Sequence, residues 1–193
     1  MNNSNTKQSN LYKLVLTGIF TAVVAVCSWI TVPLPFTQVP INLAILGVLL
    51  AGGFLGSKYG SLSLLIYILL GAVGIPVFAG FGAGLGTLAG PTGGYIVGYI
   101  LCALITGIGT VPPRKSSETT EPSSRSALRL AFFMALGVLV CYAFGTVWYV
   151  ILMKTSLWAG LLLCVFPFIP FDALKIAAAV FLVRRLRKIV NLS

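Results

Sequence analysis

Three acidic residues occur in the chain, and two of them, Glu118 and Glu121, fall in a polar stretch, which leaves Asp172 as the one carboxylate within an apolar run. It stands in Pro170-Phe171-Asp172-Ala173-Leu174-Lys175, three residues before a lysine. On a helix both side chains leave the same face, about 4.5 Å apart along the axis, so they can pair. A lone charge near the middle of a membrane costs about 2.5 to 3.5 kcal/mol even on the lenient insertion scale. The pair is therefore expected to face a polar cavity or a bundle interior, where it offers acceptors and donors to a small polar molecule. A plainer alternative is capping: Asp in a first turn suits the helix dipole and its free N–H groups, with Lys175 as a neutralising neighbour.

Two loops stand beside this pair as candidates. The run Pro76-Val77-Phe78-Ala79-Gly80-Phe81-Gly82-Ala83-Gly84-Leu85-Gly86, followed by Gly90-Pro91-Thr92-Gly93-Gly94-Tyr95, alternates glycine too densely for a stable helix. Bare backbone in hydrocarbon must be satisfied by protein or water. The expectation is a loop at the outer face whose N–H and C=O groups approach a ligand, or a tight interhelical turn. It matches no dinucleotide or phosphate-loop spacing. The segment Pro33-Leu34-Pro35-Phe36-Thr37-Gln38-Val39-Pro40-Ile41-Asn42 is uncharged and stiffened by three prolines, and reads either as a lid or as a simple helix divider. The chain has no His, and Cys27, Cys102, Cys141 and Cys164 lie singly in apolar stretches, which argues against a metal centre.

Composition supplies the elements that must carry these residues. Of 193 residues, 58% are hydrophobic and 8% charged, with a mean hydropathy of +1.03, so the solvent of this chain is lipid. Apolar runs at Leu11 to Val32, Ile41 to Leu55, Gly60 to Phe78, Gly93 to Val111, Leu128 to Met153 and Leu157 to Val183 predict an all-α integral membrane protein of six transmembrane helices. The last helix proper should start near Pro170, where proline fits a first turn. The expected organisation is an N-terminal tail over residues 1–12, a single membrane domain over 13–188 and a tail over 189–193, with Pro112 to Ser126 a mobile loop. No internal repeat links the two halves, so an inverted-repeat transporter is not supported.

Charge sets the orientation. Lys7, Lys13, Lys58, Arg114, Lys115, Arg125, Arg129, Arg184, Arg185, Arg187 and Lys188 flank one side, against Lys154 alone on the other. By the positive-inside rule both termini are cytoplasmic. The net charge of +10 thus reflects membrane topology, and nucleic acid is not expected as a partner. Twelve residues of helix set Asp172 about 18 Å above Arg184, in the outer half of a core of about 30 Å. In the first helix Gly18, Ala22 and Val26, with Thr21 and Ala25, form a small-residue stripe suited to close packing, within the chain or against another protein.

Taken together, Pro35 to Ile41, Pro76 to Gly80, the GPTGGY run Gly90 to Tyr95 and Pro170 to Lys175 resemble the BioY family, the biotin-binding S components of energy-coupling factor transporters. The likeness extends from about Leu14 to Leu186, apart from the loop Pro112 to Ser126. It implies the S-component fold, with biotin as the transported ligand, no cofactor, and Asp172 and Lys175 as ligand-binding positions. The ureido ring of biotin has two N–H donors for Asp172 and a carbonyl for Lys175. Thr37 and Asn42 would meet the ligand from the first loop, and Gly80, Phe81, Gly93 and Tyr95 from the glycine segment. Two positions depart from the usual pattern: Asn42 stands where many relatives have Thr or Gln, and Phe81 interrupts a stretch that is commonly smaller. Gly18 and Ala22 stand where the family has an Ala-xxx-Ala surface for the transmembrane coupling subunit. That subunit and two ABC-type ATPases would be the partners, in a bacterial inner membrane.

Two other classes were open on the residues alone. An ion-coupled secondary transporter could use Asp172 as its proton site, although a paired Lys175 favours a fixed ion pair. An intramembrane enzyme has no acid and base couple or metal site to work with.

Overall fold

Apolar runs divided by proline, glycine and charge become seven α-helices among the described residues, which in this computed structural model are 2–35, 37–110 and 123–189. They are α1 (Asn2–Trp29), α2 (Ala44–Ala72), α3 (Gly84–Ala89), α4 (Gly93–Thr110), α5 (Ser123–Met153), α6 (Leu157–Cys164) and α7 (Ile169–Ile189). Two two-residue strands, β1 (Thr31–Val32) and β2 (Ile41–Asn42), pair antiparallel with Thr31 opposite Asn42. Four helices among the described residues are long and apolar enough to cross a membrane. The bent pair α6 and α7, which meet at 52°, brings the number to five.

The second and third expected spans, Ile41 to Leu55 and Gly60 to Phe78, are joined in α2, which starts at Ala44 and ends at Ala72. Gly56 breaks it, with φ 79° and ψ 179°, a backbone region that only glycine occupies without strain. The chain reverses there: a Cβ on Gly60 would come within 2.8 Å of the Gly52 Cα. In an uninterrupted helix these residues would be separated by about 12 Å. α2 is thus two legs folded on each other.

Several boundaries differ from expectation. Residues 2–12, expected as a tail, continue α1, and α5 is already helical at Ser123. The rest of the loop expected over 112–126, up to residue 122, lies outside the described residues, as do Phe36 and residues 190–193. The glycine segment is not wholly loop. A 3₁₀ turn at Ala79–Phe81 leads into the six-residue α3, which packs on α4. Tertiary contact overrides glycine's poor propensity here, and the Thr87 hydroxyl, donating to the Ala83 carbonyl at 2.9 Å, closes the turn. Indole N–H groups hold this segment at both ends, Trp29 donating to the Pro76 carbonyl at 2.8 Å and Trp148 to the Gly90 carbonyl at 3.0 Å.

The core runs where α2 packs on α1 and α4, and α4 on α5. Phe20 stacks on Phe54 with centroids 5.3 Å apart. Between α1 and the second leg of α2 the buried Thr21 hydroxyl donates to the Ser63 carbonyl at 3.0 Å, and the Ser63 hydroxyl to the Thr17 carbonyl at 2.8 Å. Hydroxyls whose hydrogen bonds all stay inside the protein are the form in which polar groups survive between membrane helices. The small-residue stripe of α1 therefore divides. Thr21 and Ala25 face inward, whereas Gly18, Ala22 and Val26 are exposed.

Candidate functional site

Pro170 falls in the first turn of α7, where its missing N–H leaves no bond unmade, and this start places Asp172 and Lys175 one turn apart facing inward. Both are buried, at 3% and 7% exposure. Lys175 Nζ lies 2.6 Å from Asp172 Oδ1, while the other carboxylate oxygen accepts a hydrogen bond from the Tyr142 hydroxyl of α5. The carboxylate is thus held by side chains of two helices, not by the first-turn N–H groups that a capping role would use.

These groups open onto a cavity of about 250 Å³. Its walls come from the β1–β2 loop, both legs of α2, α3 and its flanks, α4, α5, and the α6–α7 turn. Tyr67, Tyr95, Tyr99 and Phe168 give aromatic faces, and Ile45 and Ile96 aliphatic ones. Two of the tyrosine hydroxyls are anchored, Tyr67 to Ser28 at 2.8 Å and Tyr95 to Thr146 at 3.1 Å, and Asn42 stands in the same wall. Asn42 in turn accepts from the Ala44 N–H at 3.0 Å, fixing the start of α2.

An ionised carboxylate has about four acceptor sites and an ammonium three donors. With Lys175 and Tyr142 counted, Asp172 keeps acceptor capacity, and Lys175 keeps donors. The cavity can therefore receive a neutral molecule that carries N–H donors and a carbonyl on one polar end of a compact apolar body. The charged pair is locked to itself and to the Tyr142 hydroxyl, and what it presents to the cavity is hydrogen bonding.

Of the residues read from the sequence, Asp172, Lys175, Asn42 and Tyr95 line this cavity together. Thr37, Gly80 and Phe81 line an adjoining outer hollow beside Trp29, whose ring stacks on Phe81 with centroids 5.2 Å apart. The two hollows share Gln38, Pro40 and Ala79. Gly93 is in neither wall. It is buried where α3 meets α4, and a Cβ there would lie 1.7 Å from the Leu88 carbonyl oxygen. Gly18 and Ala22 lie far along α1 on its exposed face, and a Cβ on Gly18 would meet nothing within 4 Å. Sequence reading missed Tyr142, Tyr99, Tyr67, Gln38 and Thr87. A tyrosine inside an apolar span must find a partner for its hydroxyl, and that was the available signal for the first three.

A model described as the BioY family matches residues 1–192. The chain is 39% identical over 177 residues to a biotin transporter BioY of Thermotoga maritima, covering 92% of this chain and 96% of that protein. It is 37% identical to a probable biotin transporter BioY of Pyrococcus horikoshii, over 89% of this chain and 94% of the relative. Among solved structures, it is similar to the S-component for biotin from an ECF-type ABC transporter, with a TM-score of 0.77, 28% identity, and coverage of 97% of this chain and 95% of that one.

Proposed function

We infer the function from one premise, that this chain belongs to the BioY family. It is the substrate-capture subunit of a biotin uptake transporter, and it is not an enzyme. The observation that carries the reading is the buried Asp172–Lys175 pair, steadied by Tyr142, at the wall of an aromatic cavity. We assign the ureido ring of biotin to this pair, its N–H groups to the Asp172 carboxylate and its carbonyl to Lys175, with the bicyclic body against Tyr95, Tyr99 and Phe168. Asn42 supports the wall from β2, and Thr37, Gly80 and Phe81 belong to the approach. A neutral ring leaves the ion pair balanced, so binding does not strand a charge in low dielectric.

The same reading extends to topology and partners. With α2 counted as two legs and α6–α7 as one broken span, the chain crosses the membrane six times. The basic flanks then put both termini in the cytoplasm of a bacterial inner membrane. Release inward would be driven by an energy-coupling module of one transmembrane subunit and two ATPases, and the exposed Gly18 and Ala22 face suits close packing against that subunit.

Purified chain in detergent or nanodiscs is expected to bind labelled biotin one to one, and membranes holding it with a coupling module to take biotin up only with ATP. Absence of biotin binding would sink this function. Uptake that needed a proton gradient and no ATPase would favour an ion-coupled carrier using Asp172 instead.

Tyr142→Phe should leave folding intact, because the ring stays, but weaken biotin binding about ten- to a hundredfold. A hydrogen bond to a charged group contributes about 1.5 to 3 kcal/mol, and the freed carboxylate oxygen loses its orientation. Isothermal titration beside a thermal melt would check it.

A further inference from the structure

Taking the biotin reading as given, we propose that the outer hollow receives the tail of the ligand and that this site does not read the tail's charge, so that amides of biotin's carboxyl group are ligands as well. The cavity beside Asp172 and Lys175 adjoins the hollow along Gln38, Pro40 and Ala79, which line both. In the proposal the chain of a ligand whose ring engages the pair leaves past these three residues. Lys175 is the only cation lining either space among the described residues, and Asp172 already holds it at 2.6 Å.

Among the described residues no second cation lines this shared edge, and Lys154 is in neither wall. Residues 31–40 and 79–92, which form the two loops around that edge, contain no Lys, Arg, Asp or Glu. The polar groups there are neutral and partly committed. The Thr31 hydroxyl donates to the Ser28 carbonyl at 2.6 Å, the Thr37 hydroxyl oxygen accepts from the Val39 N–H at 3.2 Å, and the Trp29 indole is bound to Pro76. Gln38 is exposed at the shared edge. A terminal carboxylate there gains no cationic partner, and it keeps its water, since the hollow is more open than the inner cavity. Replacing it with a neutral amide removes no ion pair, and the amide carbonyl still accepts from neutral donors such as the Gln38 side chain. Extending it adds atoms only where there is space. Discrimination thus resides at the ring, where a lost acceptor leaves Lys175 facing an unpaired position in low dielectric.

Titration of the full-length chain at neutral pH with three ligands tests this: biotin, biotin primary amide, and 2-iminobiotin, whose ring is a cyclic guanidine that is protonated at that pH and so presents donors and a positive charge to Lys175 in place of the carbonyl acceptor. The amide is expected to bind within about threefold of biotin, and iminobiotin to lose at least about a hundredfold. A biotinyl amide extended by a linear aminoalkyl chain should follow the primary amide. Loss of a hundredfold on amidation would overturn the proposal, because it would place the carboxylate on Lys175. Iminobiotin binding as tightly as biotin would overturn it too, since the pair would then not be reading the ring. Failure to bind biotin itself is a different result, and it removes the functional reading on which this one rests.

Discussion

Replacing Asp172 with asparagine is expected to weaken biotin binding by roughly 3 to 5 kcal/mol, a factor of about a hundred to several thousand. Two losses combine. Lys175, buried at 7% exposure, is left without its counter-charge, and an amide N–H now stands where the ligand's own N–H groups need an acceptor. The single variant also loses stability, so a fall in binding alone would not separate a pocket from a structural ion pair. A double variant does. Asp172→Leu with Lys175→Met removes both charges, a change that buried pairs often tolerate at little or no cost in folding. Its melting temperature should return close to that of the unaltered chain while biotin binding stays absent. Recovery of binding with stability would mean that the pair holds α7 in place and does not touch the ligand.

The second large effect lies away from the cavity wall. Gly93→Ala is expected to lower stability by about 1 to 3 kcal/mol and to cut biotin affinity at least about tenfold. The added Cβ would lie 1.7 Å from the Leu88 carbonyl oxygen and 2.6 Å from its carbon, both of them backbone. No rotamer relieves that, so α3 must move away from α4, taking with it Thr87 and Thr92, which line the cavity. Gly86→Ala is the control. It is in α3, on the other side of that contact from Gly93, but its Cβ would meet nothing within 4 Å. Alanine there should be neutral or slightly stabilising, since glycine costs up to about 1 kcal/mol in a helix. Thermal melts with and without biotin distinguish the two; equal behaviour would show that the α3–α4 contact does not set the shape of the site.

The parts of the site that were legible in the sequence are those fixed by local spacing. Asp172 and Lys175 share a face because a helical turn puts them there, and Pro170 marks where that helix begins. The reversal at Gly56 was legible as a gap between two apolar runs, because glycine and charge interrupt the hydrophobic pattern there. What depended on distance along the chain was not. Tyr142 reaches Asp172 from thirty residues away, and no periodicity relates the two. The β1–β2 pairing escaped because two-residue strands have no alternation to read. α3 was read as loop on glycine content, whereas its packing on α4 decides the matter. The stripe on α1 looked like one surface because small residues at positions three and four apart were grouped together. The fold divides them between the interior and the exposed face.

The two indoles that grip the glycine segment from α1 and α5 have a practical consequence. Trp29 and Trp148 are native fluorophores, each bonded to a carbonyl of a segment that walls the cavity, and Trp29 also lies against an aromatic ring at the rim. Emission colour and quenching of these side chains follow the polarity and hydrogen bonding of their immediate surroundings. The protein therefore carries an intrinsic optical gauge at the mouth of its cavity, readable in a cuvette with no label attached.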